Sequence, residues 1–223
     1  MDCARAPTHP LTAEELLSRV DHLVYACAEL EQGVAEIEQV LGVRANLGGR
    51  HPIWGTHNAL VGLGARSYLE IIAPDPDYAP TSGQRPFGLD AVSSSRLVAW
   101  AASGRELQTW WNQAVLGGVH LGAIQSGSRR RADGAMLEWT LTDLRCVVGD
   151  GVVPFLIDWG TSPHPSLTAP KGALLAGLRA QHPDHECVRN MLSVLALDLH
   201  VDAGLRPALI AEIRCPNGVI VLR

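Results

Sequence analysis

Apolar and polar positions along this chain follow two rhythms. Short apolar runs bounded by glycine, proline or polar clusters read as strands, and apolar residues three and four apart read as helices. VDHLVYA, Val20 to Ala26, is the first such strand. Val34, Ile37, Val40 and Leu41 follow at helical spacing, and Gly42 stands where a C-cap glycine ends a helix. GGRHPIWG, Gly48 to Gly55, reads as a loop. THNALVGL and SYLEIIAP read as strands joined by a turn at Gly62 to Arg66.

After a polar, proline-rich linker (Asp75 to Gln84) the order returns. RLVAWAA reads as a strand, and GRELQTWWNQAVLGG as a helix stopping at Gly117-Gly118. GAIQSGS, MLEWTLT and VPFLIDWG read as three strands, with turns at Asp133-Gly134 and Gly149-Asp150-Gly151. A third copy starts at ALLAGLRA. Its helix is HPDHECVRNMLSVLAL, capped by Asp184, and LHVDAG, PALIAEIRC and GVIVLR follow, with Asn217-Gly218 as a type I′ hairpin signal. The pattern therefore predicts an α+β fold of tandem βαβββ units. An N-terminal arm over 1–18 holds helical turns from Pro10 to Leu17, capped by Thr12. Two units, 19–80 and 95–160, make a domain over 19–166, and a shorter unit over 172–223 packs on it. Three units cannot all pair two by two, so the odd one is expected to cap an edge or mediate a homodimer.

Composition narrows the function. The net charge of -5 supplies no basic face, which argues against a nucleic-acid partner. Arg129-Arg130-Arg131, the one basic cluster, reads as a solvated hairpin tip or an anion contact. The five cysteines are scattered without zinc spacing and read as buried thiols in a reducing compartment. No apolar run reaches the ~18 residues of a membrane span, and no signal peptide is visible, so a cytoplasmic location and no membrane partner are expected.

VDHLVYA, GGRHPIWGTHNALVGLG, YLEIIAPDP, RPFGLD and PFLIDWGTSPHPS together resemble the glyoxalase-like domain group. That group falls within the vicinal oxygen chelate superfamily, which includes glyoxalase, extradiol dioxygenases and antibiotic-resistance proteins. The resemblance runs from Arg19 to Ser166. It implies curved mixed sheets, each unit forming half of one, with two units facing each other around a cavity. In metal-binding members the ligands come from the first and last strands of each unit. Carried over, these are His22 and Glu70, for a divalent ion (zinc, nickel, manganese or iron). The second unit departs from the pattern: Leu97 aligns with His22 and Ile157 with Glu70. Asp158 is one residue off, and that offset turns a strand side chain to the other face. Either another residue completes the site or no metal binds.

His22 and Glu70 read as a ligand pair, as a catalytic base with its orienting partner, or as a buried structural pair. Asp21 alternates with His22 and is expected on the opposite face. On the next strand His57, Ala59 and Val61 share one face, while Asn58 and Leu60 share the other. His57 is the candidate third ligand or substrate contact, or else a strand cap. Trp54 is a candidate lid, and His51, before Pro52, reads as a loop residue. Tyr68 shares a face with Glu70, so its hydroxyl either meets a ligand or packs. Asp158 either anchors the TSPHPS backbone or reaches the pocket, and His164 is held rigidly between two prolines as a pocket candidate. Trp100 and Trp139 read as core packing. The expected function is binding of a small organic molecule, with metal-assisted lyase, isomerase or dioxygenase chemistry. The alternative is a metal-free ligand-sequestering protein of the bleomycin-resistance type.

Overall fold

The computed structural model describes residues 13–81, 83–104, 106–130, 134 and 136–223. Thr12, Arg131 and Asp133 lie outside them. The first unit comprises β1 (Val20–Ala26), α2 (Leu30–Leu41), β2 (Asn46–His51), β3 (Thr56–Gly62) and β4 (Tyr68–Pro74), preceded by α1 (Ala13–Arg19). The second comprises β5 (Arg96–Ser103), α3 (Leu107–Leu116), β6 (Ile124–Arg130), β7 (Met136–Thr142) and β8 (Phe155–Asp158). β9 (Leu174–His182), α4 (His185–Val194), β10 (His200–Ala203), β11 (Ala208–Cys215) and β12 (Gly218–Leu222) follow.

The first two units merge into one eight-stranded sheet, ordered β2-β3-β4-β1-β5-β8-β7-β6. Within each unit the first strand runs parallel to the last, β1 beside β4 and β5 beside β8. The units join where β1 pairs antiparallel with β5. The sheet curls until its two edges approach, and the Arg129 guanidinium of β6 donates to the Gly48 carbonyl of β2 across the seam. The segment from β9 onward keeps the element order but not the pairing. Its sheet is ordered β10-β9-β11-β12, with its first strand parallel to β10 rather than to the last strand.

Two apolar clusters lie on opposite faces of the large sheet. Leu23, Tyr25, Leu69, Ile71, Trp100 and Leu156 face the helices and the smaller sheet. Val24, Ile72, Ala99, Trp139, Phe155 and Ile157 face inward. Burying Ile37 and Leu41 of α2 completely contributes about 2 kcal/mol each. Gly33 lets that helix approach closely, since a Cβ there would sit 2.5 Å from Cys27 Sγ. Gly42 ends the helix in the left-handed region at φ 70°.

Three local expectations need correction. The GGRHPIWG loop is strand as far as His51, because Arg50 and His51 pair with His57 and Thr56. Arg129 is not a solvated hairpin tip: it lies on β6 and is only 9% exposed. The last hairpin pairs Cys215 with Gly218, so Pro216-Asn217 make its turn rather than Asn217-Gly218. Proline's fixed negative φ is incompatible with a type I′ turn.

Candidate functional site

The site begins with an irregularity in β1. Val20 pairs with Ala102 and His22 with Ala101, so Asp21 is an extra residue that breaks the ladder. Such a bulge disturbs simple alternation. Asp21 therefore does not act independently of His22 on an opposite face. Its Oδ1 lies 2.8 Å from His22 Nδ1.

Asp21 is the hub of a buried network. His164 Nε2 meets its Oδ2 at 3.1 Å, and the Trp159 indole N–H donates to the same carboxylate at 3.1 Å. Asp21 is 1% exposed. Burial pushes its carboxyl upward, but hydrogen bonds and charge from His164 and His22 outweigh that and bring the pKa to about 2. An ionised carboxylate only accepts, so the network places the His22 proton on Nδ1 and leaves the Nε2 lone pair turned away from Asp21. Nε2 lies 3.7 Å from Glu70 Oε2. The Asn58 amide donates to Glu70 Oε1 at 2.5 Å. Asn58 Oδ1, also buried, has no partner among the described residues.

Of these groups, His22, Asn58, Glu70 and Trp159 line an inner cavity of about 40 Å³. At ~10–15 Å³ per water, that is room for a few waters or a small head group. Unit one supplies the polar wall: His22, His51, Asn58, Tyr68 and Glu70. Unit two supplies an apolar wall: Trp139, Leu141, Phe155 and Ile157. Tyr68 stacks on His22 with ring centroids 4.6 Å apart, and Phe155 meets His22 edge-on at 5.4 Å. Burial pushes the Tyr68 hydroxyl well above its ordinary pKa, and pushes His51 down to about 4, so both stay neutral near pH 7. Phe87 closes one side from the short 3₁₀ turn Pro86–Ala91, in a left-handed conformation (φ 59°) that a bulky residue rarely adopts. A second chamber of about 260 Å³, lined in part by His164, shares Leu60 and Arg129 with the inner cavity.

The residues singled out from sequence distribute as follows. His22, Glu70, Tyr68 and Trp54 line the inner cavity. His57 does not: β3 presents Asn58 and Leu60 inward and turns His57 to the other face. His51, read as a loop residue, is a cavity residue at the end of β2. Asp158 accepts the Gly160 N–H at 2.8 Å and lines an outer groove with Ser126 and Thr161. His164 stands behind His22, linked through Asp21, and faces the second chamber. Trp139 is cavity wall, whereas Trp100 packs in the outer core and donates to Val152 O at 2.8 Å. Asp21, Asn58, Phe155 and Trp159 were not anticipated as site residues, and Arg129 only as an anion contact. Asp21 had one available signal, its direct adjacency to His22.

The donor set does not suit a chelated metal. Of the three expected ligands only His22 and Glu70 converge, and unit two contributes Ile157 where a carboxylate would be needed. Even open catalytic zinc sites usually keep three protein ligands. Among the described residues no group of three His, Cys, Asp or Glu is placed to hold an ion. No helix among them is long and apolar enough to cross a membrane.

Residues 20–196 match the family described as glyoxalase-like domain. No curated protein matches the chain. Among solved structures, a hypothetical protein from Staphylococcus aureus superposes with a TM-score of 0.61 at 15% identity, over 91% of this chain and 83% of that one. A mutant 4-hydroxymandelate synthase from Streptomyces coelicolor gives 0.52 at 13% identity, over 91% of this chain and 61% of that one. A Streptomyces coelicolor methylmalonyl-CoA epimerase in complex with 2-nitronate-propionyl-CoA gives 0.42 at 17%, over 62% and 95%. At their identities the first two establish the fold alone.

Proposed function

The chain belongs to the glyoxalase-like domain family, and we propose that it binds a small, mostly apolar organic molecule bearing an acidic proton, which His22 accepts. The observation that carries this reading is the alignment of Asp21 Oδ1, 2.8 Å from His22 Nδ1, with Nε2 on the far side of the ring, 3.7 Å from Glu70 Oε2. A carboxylate behind an imidazole fixes its tautomer and raises its basicity, the usual arrangement of a general base. Glu70 Oε2 adds a further acceptor on the same wall. The matching ligand presents an O–H, or a C–H beside a carbonyl, to unit one and an apolar body to unit two. Such proton transfer is isomerase-type chemistry and needs no third metal ligand. Dioxygenase chemistry would need a ligand set that His22 and Glu70 do not complete. Arg129 and the second chamber give a longer ligand a continuation beyond the inner cavity.

The apolar wall of unit two favours a second reading, sequestration of an apolar ligand without proton transfer. Trp54, Trp139 and Trp159 line the cavity, so tryptophan fluorescence can report occupancy. Phenol and toluene have nearly the same shape and differ in the proton. The proton-accepting reading expects phenol to bind about tenfold more tightly, and His22→Ala to abolish that difference. Equal affinities, unaffected by His22→Ala, would leave only sequestration.

A further inference from the structure

The two sequence segments VDHLVYA and TSPHPS, far apart in the chain, meet at the Asp21 carboxylate. His164, in the second segment, is held by Ser166. The Ser166 backbone N–H donates to His164 Nδ1 at 3.2 Å, and the Ser166 hydroxyl lies 2.7 Å from the same nitrogen. Ser166 is wholly buried and its hydroxyl is anchored 2.9 Å from the Ala65 carbonyl. A backbone N–H cannot reverse its direction. With Nδ1 accepting, His164 carries its proton on Nε2, which donates to Asp21 Oδ2. Asp21 in turn accepts from His22 Nδ1. With the Ser166 backbone N–H as the donor at its far end, the chain runs through His164 and Asp21 to His22.

We infer that His164 is a positioning residue: through Asp21 it fixes the tautomer of His22, so that Nε2 faces the cavity as an acceptor. The inference rests on the proposed role of His22 and adds a residue that does not line the inner cavity. Asp21 has three N–H donors, and Trp159 and His22 are the other two. Without His164, a buried carboxylate loses one charge-assisted bond and its fixed orientation. The freed carboxylate can turn about its Cβ–Cγ bond toward the Trp159 N–H, which loosens the Oδ1 contact that holds the proton on His22 Nδ1. Ser166 and His164 also have the residue types of a nucleophilic triad with Asp21. However, the buried hydroxyl, held against Ala65, has no route to a ligand.

The test is the tautomer of His22 at one fixed pH, read from two-bond proton–nitrogen correlations on ¹⁵N-histidine-labelled full-length protein. Wild type, His164→Phe and His164→Gln are compared. Wild type is expected to show the proton on Nδ1. His164→Phe is expected to move the tautomer ratio about tenfold toward Nε2–H. His164→Gln keeps an N–H for Asp21 in a milder substitution and is expected to restore the wild-type ratio. A purely structural role would lower stability without moving the ratio, so equal ratios in all three proteins overturn the inference. A wild-type proton on Nε2 would instead overturn the proposed role of His22 itself, so the two failures are distinguishable.

Discussion

Asp21 holds His22 from behind, with Oδ1 2.8 Å from Nδ1, although the two are consecutive in a strand. The bulge at Asp21 makes this pairing reachable, and the remaining Asp21 contacts come from beyond β8. An amide in place of the carboxylate would turn an N–H₂ toward at least one donor. Asp21→Asn is therefore expected to destabilise the fold by about 3 kcal/mol, since it leaves a buried donor opposite a donor. Urea unfolding measures this. A midpoint unchanged from wild type would mean that the network contributes nothing.

Two groups predict how stability falls in acid. His51 has its pKa lowered from 6.5 to about 4 by burial. Above the unfolded value it contributes no pH dependence. As pH drops from 6.5 toward 4 the unfolded chain takes up a proton that the folded protein refuses, and stability declines by about 3 kcal/mol. Asp21, lowered from 3.8 to about 2, contributes stability that is full above 3.8 and is lost as pH falls toward 2, worth about 2–3 kcal/mol. Unfolding free energy measured against pH should thus show two successive windows of loss. His51→Gln should flatten the upper window and leave the lower one.

The phase of β3 separates its two polar neighbours. Asn58 bonds Glu70 in the cavity, while His57 lies on the far face of the strand. Ligand affinity measured by tryptophan fluorescence should change by less than about twofold in His57→Ala. It should fall roughly tenfold in Asn58→Ala, which removes the donor on Glu70 Oε1 and frees the Glu70 side chain.

Gly127 supports the Trp139 wall. A Cβ there would stand 2.4 Å from the Trp139 ring, a rigid group that must move toward the cavity. Gly127→Ala is expected to cost ~1–3 kcal/mol as overpacking. It should also weaken phenol binding while leaving the His22 tautomer unchanged. Calorimetric titration alongside thermal unfolding distinguishes this from general loss of fold.

The strand and helix order was legible because apolar periodicity carries it. VDHLVYA, SYLEIIAP and RLVAWAA all became strands of the large sheet, and Gly42 and Asp184 cap helices as expected. Placing His22 and Glu70 on one wall depended on the family resemblance. The role of Asp21 was illegible because strict alternation holds only in an unbulged strand. The choice of His57 over Asn58 was a phase error. The register pairs Leu60 with Glu70, so the inward face of β3 follows from that of β4 once the turn between them is known. Arg129 was hidden because curling of the sheet, which brings β6 beside β2, has no local signature in the sequence. The same holds for the third segment, where β10 pairs with β9 and the repeat of element order conceals a different strand order.

The most direct test of the central claim is neutron diffraction from deuterated crystals at neutral pH, which locates the proton on His22. The account predicts deuterium on Nδ1, pointing at Asp21, and a bare Nε2 facing Glu70 across the cavity. Deuterium on Nε2, or a metal ion bound there, would contradict it.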